Sequence, residues 1–214
     1  MTKTERDILN YSMKDNNLNV KKEIKPRYIM KLCILGSGGV GKTCMCRRLC
    51  YDTFDAKTKL TIGIDFYTYD LPILINGDNN EESFIRLSIW DFGGQEQFRT
   101  FFPYYLGGAN GILLVFSLLN ISTLIALDYW YETLVKNNHK DTPKIFIGTK
   151  KDLLNLSEEK LRVDDLVINR FLKKHEERDF IKTSAKSNFN IEYSFKEIAK
   201  KVLNHHKFRF EKLV

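Results

Sequence analysis

Apolar positions recur along this chain with two different periods, and the changes between them divide it into alternating strands and helices. Residues 29–35 (IMKLCIL) form a short apolar run suited to a buried strand, and residues 44–51 can continue as a helix. Residues 62–69 (IGIDFYTY) alternate with period two, as an edge strand does. The turn cluster at 76–80 (NGDNN) and the run at 84–90 (FIRLSIW) then complete a hairpin. Two unbroken apolar runs follow, GILLVFS at 111–117 and KIFIG at 144–148, the pattern of parallel strands covered by helices on both faces. Between them Leu124, Leu127, Tyr131, Leu134 and Val135 recur at helical spacing behind a candidate N-cap at Ser122. Phe195, Ile198, Ala199, Val202 and Leu203 fall on one stripe of an amphipathic helix that docks on a core.

The order β-α-β-β-α-β-α-β-α-β-α predicts an α/β fold, a mostly parallel six-stranded sheet with one antiparallel edge strand and helices on both faces. Ligands in such sheets bind at the carboxyl ends of the strands. Residues 1–27 are polar, rich in Asn and Lys, and read as an N-terminal extension whose one candidate element is a short amphipathic helix at 4–13. A length of 214 residues suits one domain of this kind with modest extensions. No apolar run approaches the roughly 20 residues that span a bilayer, and the first residues lack the apolar segment of a secretory signal. Cys33, Cys44, Cys46 and Cys50 show no C-x-x-C spacing, so they read as reduced thiols of a cytosolic protein rather than as a metal site.

Candidate chemistry begins where the first strand ends. Gly36, Ser37, Gly38, Gly39, Val40, Gly41, Lys42 and Thr43 read GSGGVGKT, a full match to the phosphate-cradling pattern G-x-x-x-x-G-K-[ST] in its required strand–turn–helix setting. Glycines let successive backbone N–H groups curl around a polyphosphate, and the helix N-terminus favours the anion. Lys42 supplies positive charge to the outer phosphates, and the Thr43 hydroxyl is placed to ligate Mg²⁺.

Two later strands carry the residues that select the base. Thr149, Lys150, Lys151 and Asp152 follow KIFIG, and Thr183, Ser184, Ala185 and Lys186 follow the short run FIK at 180–182. With these in place the chain resembles the small GTPases of the Ras superfamily over about residues 28–206, with all five family motifs in order. The resemblance implies a P-loop NTPase G domain that binds GTP and GDP with Mg²⁺ as cofactor. Asp152 would accept from guanine N1 and N2, an edge adenine does not offer. The Ala185 N–H would face guanine O6, with Ser184 and Lys186 beside it; Lys150 would cover the base plane, and Phe54 would set its ring against the base. Cys44 continues the nucleotide-binding set past the loop. The family's first base motif is usually Asn-Lys-x-Asp, and here Thr149 stands in place of Asn. Its hydroxyl can make part of the bond by which that Asn ties this loop to the phosphate loop.

The resemblance also assigns the γ-phosphate sensors. Thr61 would join Thr43 on Mg²⁺, Asp91 would hold the ion mostly through water, Gly94 would bring its N–H to the γ-phosphate, and Gln95 would orient the attacking water. The string Asp91-Phe92-Gly93-Gly94-Gln95 is similar to the Arf branch, whereas residues 61–66 and 95–100 are similar to the Rab branch. Phe66, Trp90 and Tyr105 either form an aromatic effector surface of the Rab type or pack the hairpin against its neighbour. Residues 51–60 hold Lys57 and Lys59 but no Arg, and Arg47 and Arg48 are expected to point away from the phosphates, so the implied activity is a slow, partner-stimulated GTP hydrolysis that works as a molecular switch. The implied partners are a GAP, an exchange factor and effectors. Two other readings share some of these motifs. A P-loop ATPase would need an adenine site or an arginine-rich lid, and a pseudo-GTPase would hold nucleotide without turning it over; the presence of Lys42, Thr43, Thr61, Asp91 and Gln95 speaks against the second.

Charge adds one further expectation. Net charge is +7, and from residue 196 onward six Lys or Arg face two Glu. Residues 207–214 read as a short basic and aromatic tail without cysteine, and Gly is absent at position 2, so neither prenylation nor myristoylation has its motif. The expectation is a cytoplasmic protein whose Lys200, Lys201, Lys207, Arg209 and Lys212, with Phe208 and Phe210 as apolar anchors, touch anionic membranes transiently. Nothing beyond this tail favours nucleic acid.

Overall fold

The computed structural model describes residues 25–74, 83–99, 101–156 and 162–214. The candidate helix at 4–13 and the turn cluster at 76–80 lie outside them. Strand β1 (Tyr28–Leu35) is central, flanked in parallel by β3 (Ser83–Phe92) and β4 (Gly111–Ser117). β5 (Lys144–Thr149) and the short β6 (Phe180–Lys182) extend the parallel side, and β2 (Ile64–Leu74) runs antiparallel to β3 on the other. The mostly parallel α/β sheet and its antiparallel hairpin are as the residue pattern predicts.

A seventh strand is added. β7 (Lys212–Leu213) pairs antiparallel with the far end of β2, giving the order β6-β5-β4-β1-β3-β2-β7. The tail reaches this position through helix α7 (Ile191–His205) and a turn at Lys207, whose φ is +55°. Backbone bonds from Glu211 N to Leu74 O (2.8 Å) and from Val214 N to Pro72 O (3.0 Å) hold it to the sheet edge. Phe208, Phe210 and Leu213 turn inward and pack against the core, and Tyr28 lies 6.3 Å from Phe208 ring to ring. This corrects the expectation of apolar membrane anchors at Phe208 and Phe210: the rings gain more from covering the sheet end than from facing water. Lys207, Arg209 and Lys212 stay exposed, while Lys201 is engaged by Lys144 O and the Asp179 carboxylate.

Period-two alternation divides the sheet between two cores. Leu32, Ile34, Leu113 and Val115 face α7 and α1 (Lys42–Tyr51), where Met45, Phe195, Ile198 and Val202 meet them. Cys33, Leu35, Ile112, Leu114 and Phe116 face the other layer, built on α5 (Leu127–Lys136) and α6 (Asp165–Lys174) with Trp130 fully buried at its centre. Short single-turn helices α2 (Glu96–Arg99) and α3 (Phe102–Tyr105) precede β4, and α4 (Ile121–Ile125) precedes α5. The N-cap here is Asn120, whose Oδ1 accepts from Ser122 N at 3.0 Å, so the sequence expectation was two residues late. Leu124, Leu127, Tyr131 and Leu134 are buried as their spacing predicts, and Val135 is 41% exposed.

Candidate functional site

The loop 36–41 leaves the carboxyl end of β1 and turns directly into α1. At Gly36, with φ +142°, a Cβ would stand 2.0 Å from Val115 O, so no side chain fits where the loop presses on β4. The loop then closes around the first side chain of α1. Lys42 Nζ donates to Gly36 O (2.9 Å) and Ser37 O (2.8 Å), and the residue is buried. Burial lowers its pKa to about 8 against the raising effect of Asp91. The amine thus lies within the loop as a preset charge.

Three oxygen-bearing side chains from separate elements meet beside it. Thr43 Oγ1 donates to Asp91 Oδ2 at 2.5 Å and lies 2.7 Å from Thr61 Oγ1, which is 3.4 Å from the same carboxylate oxygen. Asp91 is fully buried at the end of β3, its pKa raised to about 6 by burial although Lys42, Thr43 and Thr61 oppose the rise. Its other oxygen, Oδ1, is buried with no hydrogen-bond partner. A hard-oxygen set with an orphaned carboxylate oxygen fits a small divalent cation such as Mg²⁺, whose charge would offset the desolvation of Asp91. Gly94 lies tight against the phosphate loop, where a Cβ would come within 2.4 Å of Gly36 O, Ser37 C and Gly38 N. The Gln95 Cγ lies 3.8 Å from where a Cβ at Gly38 would stand, which sets the stem of Gln95 against the phosphate loop.

The base-selecting residues converge from β5 and the loop after β6. Thr149 Oγ1, at the end of β5, lies 2.5 Å from Val40 O and 2.9 Å from Phe116 O, so its hydroxyl can tie the phosphate loop to β5 where the family's Asn would stand. Lys150, at φ +65°, donates to Gly39 O at 2.9 Å. Asp152 Oδ1 accepts from Ser184 Oγ at 2.6 Å, which fixes the carboxylate. Arg48 Nε donates to Ala185 O at 2.8 Å and pairs with Asp52, and Arg47 bonds Tyr67, so both turn away from the phosphate end as expected.

A cavity of about 300 Å³ joins these groups, lined by Gly38, Gly39, Gly41, Lys42, Thr43, Cys44, Phe54, Thr61, Gly94, Gln95, Thr149, Lys150, Asp152 and Ala185. Gly36, Ser37, Val40, Asp91 and Ser184 act from behind that lining, and Lys186 is exposed outside it. Asp55, Ala56, Thr58, Lys59 and Leu60 add a further wall, with Met45 and Leu153 also lining the cavity, and none of them is assigned to the site by the sequence motifs. The signal available for the wall was its place between Phe54 and Thr61; its own composition has no pattern. A strand–loop–helix around a buried lysine, a threonine pair on an aspartate, and the Asp152 carboxylate thus border one cavity.

Comparison with known proteins agrees. The Ras family model matches residues 31–204. The chain belongs to the Ras family. Similar proteins include Ras-related protein Rab-8A of Pongo abelii, 33% identical over 176 residues that cover 82% of this chain and 79% of that protein. Ras-related protein Rab-13 of Rattus norvegicus is 32% identical (82% and 81% covered), and Ras-related protein Rab-18 of Lymnaea stagnalis is 35% identical (81% and 80% covered). This Rab-like member of the Ras family is therefore a GTP-binding small GTPase, a molecular switch of the signalling and trafficking type. Among the described residues no helix is long and apolar enough to cross a membrane.

Proposed function

We propose that this Ras-family GTPase hydrolyses GTP by positioning and electrostatics, with each role held by a residue named above. The observation that carries the reading is the meeting of Thr43, Thr61 and Asp91 beside Lys42 at one end of the cavity, with Asp152 at the other. Backbone N–H groups of residues 38–43 cradle the phosphates, and Lys42 stabilises charge on the outer phosphate oxygens. Thr43, Thr61 and Asp91 would hold Mg²⁺, which when bound neutralises phosphate charge. The Gln95 carbonyl oxygen accepts a hydrogen bond from the attacking water and aligns it with the γ-phosphorus. The water oxygen forms the new P–O bond, the bond to the β-phosphate oxygen breaks, a water proton passes to a γ-phosphate oxygen, and GDP and phosphate are the products. Asp152 and the Ala185 N–H read guanine, with Phe54 and Lys150 against the base.

The site's own cations explain a slow rate. Among the described residues of 51–60 there is no Arg, and Arg99 is held on the ring faces of Tyr129 (4.9 Å) and Trp130 (5.7 Å). An arginine supplied by a GAP would add about 10³–10⁵-fold, the range seen for other GTPases. An exchange factor would reset the switch, and effectors would read the face where Trp90 meets Phe66 edge to face at 4.7 Å and Tyr105 at a tilt at 6.2 Å, with Phe66 61% and Tyr105 43% exposed. The protein is cytoplasmic in this reading, and exposed Lys200, Lys207, Arg209 and Lys212 give it a reversible contact with anionic membranes. Single-turnover hydrolysis of bound GTP tests the mechanism. Gln95→Leu should bind GTP normally and hydrolyse it up to about 100-fold more slowly. Turnover at the wild-type rate would show that another group positions the water.

A further inference from the structure

Gln95 is not free to act. Its Oε1 accepts a hydrogen bond from Gln97 Nε2 at 3.0 Å, two residues further along the same turn. Gln97 is exposed, whereas Gln95 is half-buried with its Cγ against the phosphate loop. The stem of Gln95 thus sits at the reacting end of the cavity while its headgroup is tied to a neighbour on the solvent side. Residue type matters here. An amide carbonyl has to accept from the attacking water; its oxygen can accept two bonds, so the tie to Gln97 acts by drawing that oxygen to the solvent side of the turn rather than by filling it.

We propose that Gln97 is a positioning residue, a catch that holds the Gln95 carboxamide away from the water and so slows intrinsic GTP hydrolysis. The proposal rests on the role given to Gln95 above. Productive geometry requires the Gln95 amide to leave Gln97, and each turnover waits on that minor population. A neutral, solvent-exposed hydrogen bond is modest in net strength, so the expected gain on its removal is about 3-fold to 10-fold in rate. The tie is local to α2 and its entry turn. Thr43, Thr61 and Asp91 hold each other without it, so nucleotide affinity should not follow the rate.

The test compares single-turnover GTP hydrolysis and the dissociation of a fluorescent GDP in four full-length proteins: wild type, Gln97→Met, Gln95→Leu and the double variant. Methionine keeps the length of the glutamine side chain and removes its donor. A catch predicts that Gln97→Met hydrolyses about 3-fold to 10-fold faster than wild type, with unchanged GDP dissociation. It also predicts that Gln97→Met adds nothing in the Gln95→Leu background, because the catch acts through the Gln95 amide. Gln97→Met at or below the wild-type rate, with Gln95→Leu slow, overturns the catch and leaves the mechanism standing. Equal acceleration in both backgrounds, or a rate gain that tracks faster GDP release, overturns it as well, since Gln97 would then be acting on the turn in general. Gln95→Leu at the wild-type rate instead overturns the mechanism on which the catch depends.

Discussion

Replacing Thr149 by valine removes one hydroxyl and keeps the shape of the side chain. In the wild type that hydroxyl lies 2.5 Å from Val40 O and 2.9 Å from Phe116 O. A single proton serves one carbonyl at a time, and the shorter contact is the one that ties the phosphate loop to β5. Thr149 is 3% exposed, so water does not replace the lost donor. Leaving a buried carbonyl acceptor unpaired costs about 1–3 kcal/mol. If about half of this falls on the nucleotide-bound form, GDP affinity drops by about 2-fold to 10-fold, because 1.36 kcal/mol is a factor of ten. The full cost lowers the melting temperature by about 2–12 °C, at about 2–4 °C per kcal/mol for a domain of this size. The assay is displacement of a fluorescent GDP by excess unlabelled GDP, followed by calorimetry of the GDP-loaded protein. Thr149→Asn is the control. Its amide carries two donors, enough for both carbonyls, and should release GDP no faster than wild type. Wild-type release and melting in Thr149→Val would refute the view that this hydroxyl fastens the loop.

Three further outcomes are expected. Asp152→Asn exchanges an acceptor for a donor at the guanine edge, so competition binding should show GTP weakened and xanthosine triphosphate strengthened; unchanged GTP affinity would place the base elsewhere. Truncation after Lys207 removes the partly buried Phe208, Phe210 and Leu213, and should cost about 2–4 kcal/mol, or several degrees of melting temperature, as an upper figure from apolar burial. Lys207→Glu with Arg209→Glu should instead leave melting unchanged and abolish salt-sensitive sedimentation with anionic vesicles. Binding that survives the reversal would remove the tail from the membrane contact.

Most of the site was legible in the sequence because its parts are local strings set at strand ends. The loop 36–43 announces itself, since Gly36, Gly39 and Gly41 sit at positive φ and Gly36 also meets the 2.0 Å approach of Val115 O. Asp152 and Ala185 are found by their place after predicted strands. The wall formed by residues 55–60 is different in kind. It is shaped by contacts such as Thr58 Oγ1 to Asp55 O and the neighbouring Cys44 Sγ, which leave no periodic trace in residue type. The Gln97–Gln95 bond is equally invisible, because i and i+2 side chains meet only once the turn geometry is known.

The tail shows where sequence reasoning loses its footing. Phe208, Arg209 and Phe210 alternate apolar and charged, and that period states that one side will be covered. It does not state by what. A free tail over a lipid surface and a strand over the end of β2 both satisfy it, and a short strand pairs with whatever unpaired edge stands within reach. The deciding facts are long-range: β2 ends with Pro72 O and Leu74 O unmet on its outer edge, and the turn at Lys207 sends the chain back toward them. Covering that edge puts the rings on the sheet and the cations in solvent. Any anionic partner must then bind by charge alone, against a surface whose apolar side is already used.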